Sequence, residues 1–160
     1  MISPAETLIV MIEAAAALAG FAGIVATLRR ERWTDLDSLQ IKNLLSCAFS
    51  ALFVSILALL LLHAEVAEKL TWRILSATWV VVGLLATIEN GLAYRKLQNI
   101  SDHAVISLAN LAWFGSAVAV IALQVYNALI TAAFWPVLVG ISWLFGLTCY
   151  SFWRLLIRHK

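Results

Sequence analysis

The run LLSCAFSALFVSILALLLL, Leu44 to Leu62, carries no charged residue along its whole length. A bilayer's hydrocarbon core takes about 20 consecutive apolar residues as a helix, so such a run reads as a membrane span. It is not alone. The almost wholly apolar block from Val105 to Ile157 would measure roughly 80 Å as one helix, against a hydrocarbon core about 30 Å thick. It has to turn back. Pro136 marks the place, because proline fits only the first turn of a helix, and the last helix should begin just before it.

The same reasoning along the rest of the chain predicts spans at about 5–28, 43–63, 72–94, 103–126 and 135–157. The expected fold is all-α, a polytopic transmembrane bundle of five spans forming a single membrane domain over residues 1–160. Helix-start signals support it. Ser3 serves as N-cap, Pro4 as the first helical residue and Glu6 as the returning arm of a capping box. Thr34 or Asp35 should cap the second helix, Thr71 the third, and Ser101 or Asp102 the fourth. Gln124, Tyr126 and Asn127 should mark the far end of helix four.

Charge placement sets an expected orientation. Arg29, Arg30, Arg32, Lys42, Arg95, Lys96, Arg154, Arg158 and Lys160 fall at one set of span ends, against Lys69 and Arg73 at the other. The positive-inside rule then predicts an external N-terminus and a cytoplasmic C-terminus. Positive charge follows the first apolar run instead of preceding it, which is not the layout of a cleavable secretory signal.

Composition agrees with a membrane setting. Hydrophobic residues make up 63% of the chain and charged residues 12%, with a mean hydropathy of +0.94. Soluble domains sit nearer half apolar and a quarter charged. The net charge of +2 argues against a nucleic-acid partner. Cys47 and Cys149 lie in apolar runs without a nearby second cysteine, so neither a disulfide framework nor a metal site is expected.

Helix one has two distinct faces. Glu13, Ala16, Ala17, Gly20, Ile24 and Thr27 share one of them, and Met11, Ala15, Leu18, Ala22 and Val25 the other. Small residues let helix backbones approach closely, which drives association where lipid removes the hydrophobic effect. Ala16, Ala17, Gly20 and Thr27 are therefore the expected packing face, against either a neighbouring helix or a second copy. Gly140 and Gly146 on helix five could act similarly.

Two acids lie inside spans, Glu13 and Glu89. A charge at the bilayer centre costs about 2.5 to 3.5 kcal/mol, so such residues usually face protein or water. Counted along their helices, the two differ in depth by roughly 15 Å, too far to share a proton. Ser107 and Asn110 fall at a depth similar to Glu89, and a Glu89–Asn110 hydrogen bond is expected. Glu13, Glu89, Asn110 and Ser107 are thus the candidate lining of a pore or polar cavity. The histidines, His63, His103 and His159, sit at helix ends without a haem-binding arrangement, and no cofactor is expected. No HExxH, GxSxG or phosphate loop is present, and an enzyme is not expected. Trp33, Trp72, Trp135 and Trp153 fall where interfacial anchors belong, while Trp79, Trp113 and Trp143 lie deeper.

The segments ALAGFAGIVATLRR and WTDLDSLQIKNLL, within residues 14–62, resemble a group of short bacterial multi-pass inner-membrane proteins. That resemblance implies a bacterial inner (plasma) membrane setting and brings no site residues with it. The leading expectation is a protein that associates with copies of itself through helix one, with an ion channel or permeation path as its possible activity. The rival is an accessory or scaffold subunit, without transport, that packs against another membrane protein.

Overall fold

The computed structural model describes residues 3–28, 35–98 and 108–157. Among these the chain is helical, with no strand: α1 (Pro4–Leu28), α2 (Asp35–His63), α3 (Glu68–Gln98), α4 (Leu108–Tyr126) and α5 (Phe134–Ile157). Five stretches are long and apolar enough to cross a membrane, one in each of α1, α2, α3 and α5 and one, Trp113–Thr131, that continues from α4 through the turn after it. The expected starts at Thr34, Ser101 and Asp102 lie outside the described residues, as do Trp33, Ser107, His103, His159 and the arginines at 29, 30, 32 and 158.

α1 opens as its capping signals require. The Ser3 amide donates to Glu6 Oε2 at 2.8 Å and the Glu6 amide to Ser3 Oγ at 3.2 Å, satisfying two otherwise orphaned groups. α5 opens at Phe134 with Pro136 in its first turn, as the proline demands. α3 departs from expectation. It begins at Glu68, and Thr71 is buried inside its first turn instead of capping it. Glu68 accepts from Trp72 Nε1 at 3.2 Å. Trp72, expected as an interfacial anchor, is only 1% exposed and packs on Phe134 with ring centroids 5.1 Å apart.

α2 is the central helix. Its buried positions Ile41, Leu44, Ala48, Ala51, Ser55 and Ala58 alternate three and four residues apart, the spacing of a coiled-coil seam. Leu8, Ala15 and Ala22 of α1 recur every seven residues; Leu8 and Ala15 pack into the main core, and Ala22 joins Ile41 and Leu44 in a second cluster. Val137, Ile141, Leu144 and Thr148 do the same from α5. Alanine dominates where α1 meets α2, so those two backbones approach closely. The α2–α3 connection is a tight turn in which Val66 donates to the Leu61 carbonyl at 3.2 Å and Glu65 takes the left-handed conformation, φ 56°. This is a Schellman-type ending, and a short connection makes α2 and α3 antiparallel neighbours.

The other half of the bundle is held by polar groups. α4 ends in a π-helical turn, Asn127–Thr131, which Ala132 terminates with φ 48°. Asn127 Nδ2 donates to Ser76 Oγ on α3 at 2.8 Å and to the Ala133 carbonyl at 3.0 Å. Its Oδ1 accepts from the Ala133 amide at 2.9 Å and from Thr131 Oγ1 at 2.7 Å. Ser76 Oγ in turn donates to Gln124 Oε1 at 2.9 Å, and Gln124 Nε2 donates to the Pro136 carbonyl at 2.6 Å. Gln124 and Asn127 lie at the end of α4, as expected, and there they are fully buried and tie α3, α4 and α5 together.

Gly140 sits against this clasp. A Cβ there would come within 2.9 Å of both Gln124 Nε2 and Trp79 Nε1, whereas a Cβ at Gly146 would meet nothing. Gly140→Ala is therefore expected to lower thermal stability in detergent by about 1 to 3 kcal/mol, with Gly146→Ala neutral or slightly stabilising as the control. Asn127→Ala strands several buried partners and should cost about 3 kcal/mol. Equal melting temperatures for the Gly140 and Gly146 variants would show that the close approach is absent.

Candidate functional site

α1 buries one face and leaves the other uncovered. The buried residues are Leu8, Ala15 and Ala22, with Met11 and Leu18 half-buried beside them. Glu13, Ala16, Ala17, Gly20, Ile24 and Thr27 are all exposed. Of the two contacts expected for the Glu13 face, a neighbouring helix of the same chain or a second copy, the first is not made among the described residues. The opposite face does that work, because Ala15 and Ala22 lie on the seven-residue repeat that fits the α2 seam.

The glycine on the uncovered face is informative. A Cβ added at Gly20 would meet nothing within 4 Å. Glycine inside a helix costs about 1 kcal/mol relative to alanine, and nothing among the described residues requires that cost at Gly20. Thr27, by contrast, satisfies itself: its hydroxyl donates to the Gly23 and Ile24 carbonyls, both at 2.9 Å. Thr27 therefore asks for no outside partner.

Glu13 has no hydrogen-bond or ion-pair partner among the described residues, and its side chain is exposed in the middle of an apolar helix. A carboxylate there is stable only against water, a cation or a polar partner. On α1 it is flanked by the exposed Ile9 and Val10 toward the N-terminus and by Ala16 and Ala17 toward the C-terminus, and a second helix could come close on the alanine side.

Glu89 is differently placed. It forms an ion pair with Lys42, which joins the ends of α2 and α3 remote from the 64–67 turn. Both side chains are well exposed, at 66% and 60%. The sequence contained both residues, but their pairing depends on the antiparallel register of α2 and α3, which separates them by 47 positions. Ser107, and the side chain of Asn110, lie outside the described residues, so the expected Glu89–Asn110 bond falls there too. The structure does not bring Glu13 and Glu89 together: one stands on the outer face of α1, the other meets α2.

Of the deeper tryptophans, Trp143 Nε1 donates to Ser116 Oγ at 3.2 Å, and Trp79 lies beside it with centroids 5.9 Å apart. Trp113 stacks obliquely on Tyr150 at 4.6 Å. Trp135 and Trp153 are exposed. Among the described residues no group of three His, Cys, Asp or Glu side chains could hold a metal ion, and Cys47 and Cys149 are free thiols. Comparison of the chain with family models, curated proteins and solved structures returned no match.

Because Glu13 takes no part in the packing of its own bundle, Glu13→Gln is expected to shift the stability of the detergent-solubilised single chain by less than about 0.5 kcal/mol. A large loss of helicity or melting temperature in that variant would mean that Glu13 has a partner within the chain.

Proposed function

We propose that this is a multi-pass membrane protein that associates with copies of itself through Glu13, Ala16, Ala17 and Gly20 of α1. The setting proposed is the bacterial inner membrane, with the N-terminus external and the C-terminus cytoplasmic. In this reading Glu13 lines a permeation path for ions at the junction between copies. Glu89, engaged by Lys42, stands outside that path.

One observation carries the reading: an acid and a glycine share an uncovered face of a helix that packs its own bundle with the opposite face. Facing acyl chains, the carboxylate would cost about 2.5 to 3.5 kcal/mol. Facing a junction between copies, it meets water or permeating cations, and Gly20 admits a neighbouring backbone. The exposed Glu65 and Glu68, beside the turn at the same end of the bundle as the start of α1, would add negative potential at the mouth and draw cations.

Disulfide cross-linking in membranes tests the association, in a chain whose Cys47 and Cys149 are replaced by alanine. Ala17→Cys should give linked dimers, Ala15→Cys should give none, and Gly20→Leu should suppress the Ala17→Cys product. In liposomes, Glu13→Gln should slow cation flux roughly tenfold, the effect of about 1.4 kcal/mol on a barrier. A monodisperse monomer in mild detergent at all concentrations overturns the self-association. If that monomer co-purifies with a different membrane protein, the accessory-subunit reading takes its place. An intact oligomer that passes no ion removes the permeation path alone.

A further inference from the structure

Between α2 and α3, with α4 and α5 as its back wall, lies a half-open cleft of about 110 Å³. Asn43 on α2 and Thr87 on α3 stand at one end of it, and Val54 at the other, with Trp79 and Trp143 along its floor. Ser46 and Ala86, both exposed, form opposite rims, so the cleft opens sideways along the span. The Lys42–Glu89 ion pair joins α2 and α3 immediately beside the Asn43–Thr87 end.

We propose that this cleft binds one acyl chain of a zwitterionic phospholipid, the phosphate meeting Lys42 and the headgroup ammonium meeting Glu89. The proposal rests on the membrane reading of the chain and is independent of association through α1. Length supports it. From Asn43 to Val54 the cleft runs roughly 16 Å along α2, about the depth of one leaflet of a hydrocarbon core about 30 Å thick.

Polarity runs the right way along that length. Charged and amide groups stand at the helix ends, where a headgroup lies, and the walls turn apolar and aromatic toward mid-span, where a tail lies. Apolar walls with a few converging polar groups are the usual form of a small-molecule site between helices of a bundle. A cavity of about 150 Å³ takes benzene, so the cleft admits a short stretch of a single chain and no fused-ring lipid. The remainder of the tail lies along the open rim. The headgroup follows from charge. Lys42 and Glu89 together are neutral and their side chains are exposed, so a headgroup carrying both signs can pair with each, while a purely anionic one meets Lys42 but offers nothing to Glu89.

The test uses the full chain in vesicles of equal parts phosphatidylethanolamine and phosphatidylglycerol, extracted into mild detergent and weighed by native mass spectrometry. The expected result is one retained phospholipid per chain, enriched in phosphatidylethanolamine. Ala86→Phe should reduce retention roughly tenfold by displacing about two methylene groups from the cleft. Ser46→Phe, which fills the cleft from the opposite rim, should do the same, so the misfolding of one variant leaves the other to decide. Glu89→Gln should keep the lipid but shift its identity toward phosphatidylglycerol. Wild-type protein that carries no lipid, both phenylalanine variants retaining as much as wild type, or a wild-type preference for phosphatidylglycerol would each overturn the proposal. A monomeric subunit count, which defeats association through α1, leaves every one of these readouts unchanged.

Discussion

Close backbone approach along α2 is the constraint on which the bundle rests. Lipid is as apolar as leucine, so helices in a bilayer gain little by burying apolar side chains and must gain by packing density. Ala51 and Ala58 of α2 share a buried cluster with Ala15 of α1, and Ala22 packs with Ile41 and Leu44 further along the same seam. The dispersion gained per atom pair is only about 0.1 to 0.2 kcal/mol, but it accumulates along two helices in continuous contact. α5 reads the same repeat from another side through Val137, Ile141 and Leu144. The heptad on α2 thus sets the positions of both neighbours.

α3 and α4 are secured by a different force. Ser76, Gln124 and Asn127 are buried, and each completes its partners' hydrogen bonds, including the carbonyls of Ala133 and Pro136 where the chain turns into α5. In a low-dielectric interior a satisfied network of this kind specifies one arrangement, because any shift leaves a donor or acceptor without water to replace it. The π-helical turn follows from the same geometry. Asn127 can reach both Ser76 and Ala133 only if α4 widens by one residue at its end, and Ala132 then takes a left-handed conformation to release the chain. Gly140 is small because two polar side chains already occupy the space beside it.

The two acids within the candidate spans contrast with that network and with each other. Glu89 has found a lysine, and the pair closes the end of a lateral cleft. Glu13 has no partner among the described residues, and Ala16, Ala17 and Gly20 on its C-terminal side leave room for another helix. The proposed association through α1 gives that acid an environment other than acyl chain. The two proposals therefore use different surfaces of the same bundle, one on α1 and one between α2 and α3.

Much of the architecture was legible from residues alone. Uncharged runs of span length, the Ser3–Glu6 capping box and the position of Pro136 each act locally, through hydration of one helix or the geometry of one turn. The two faces of α1 were equally plain from a period of 3.6. Which face would be buried was not, because both carry alanine, and only the match of Leu8, Ala15 and Ala22 to the α2 seam separates them. Nor could a linear reading distinguish Gln124 and Asn127 as buried clasps from wet helix ends, since their partners lie 48 and 51 positions away on α3. The Lys42–Glu89 pair and the cleft beside it belong to the same class. Composition and period determine what each segment can be; the meeting of groups distant along the chain is settled only when the helices pack, because contact energies act through space and not along sequence.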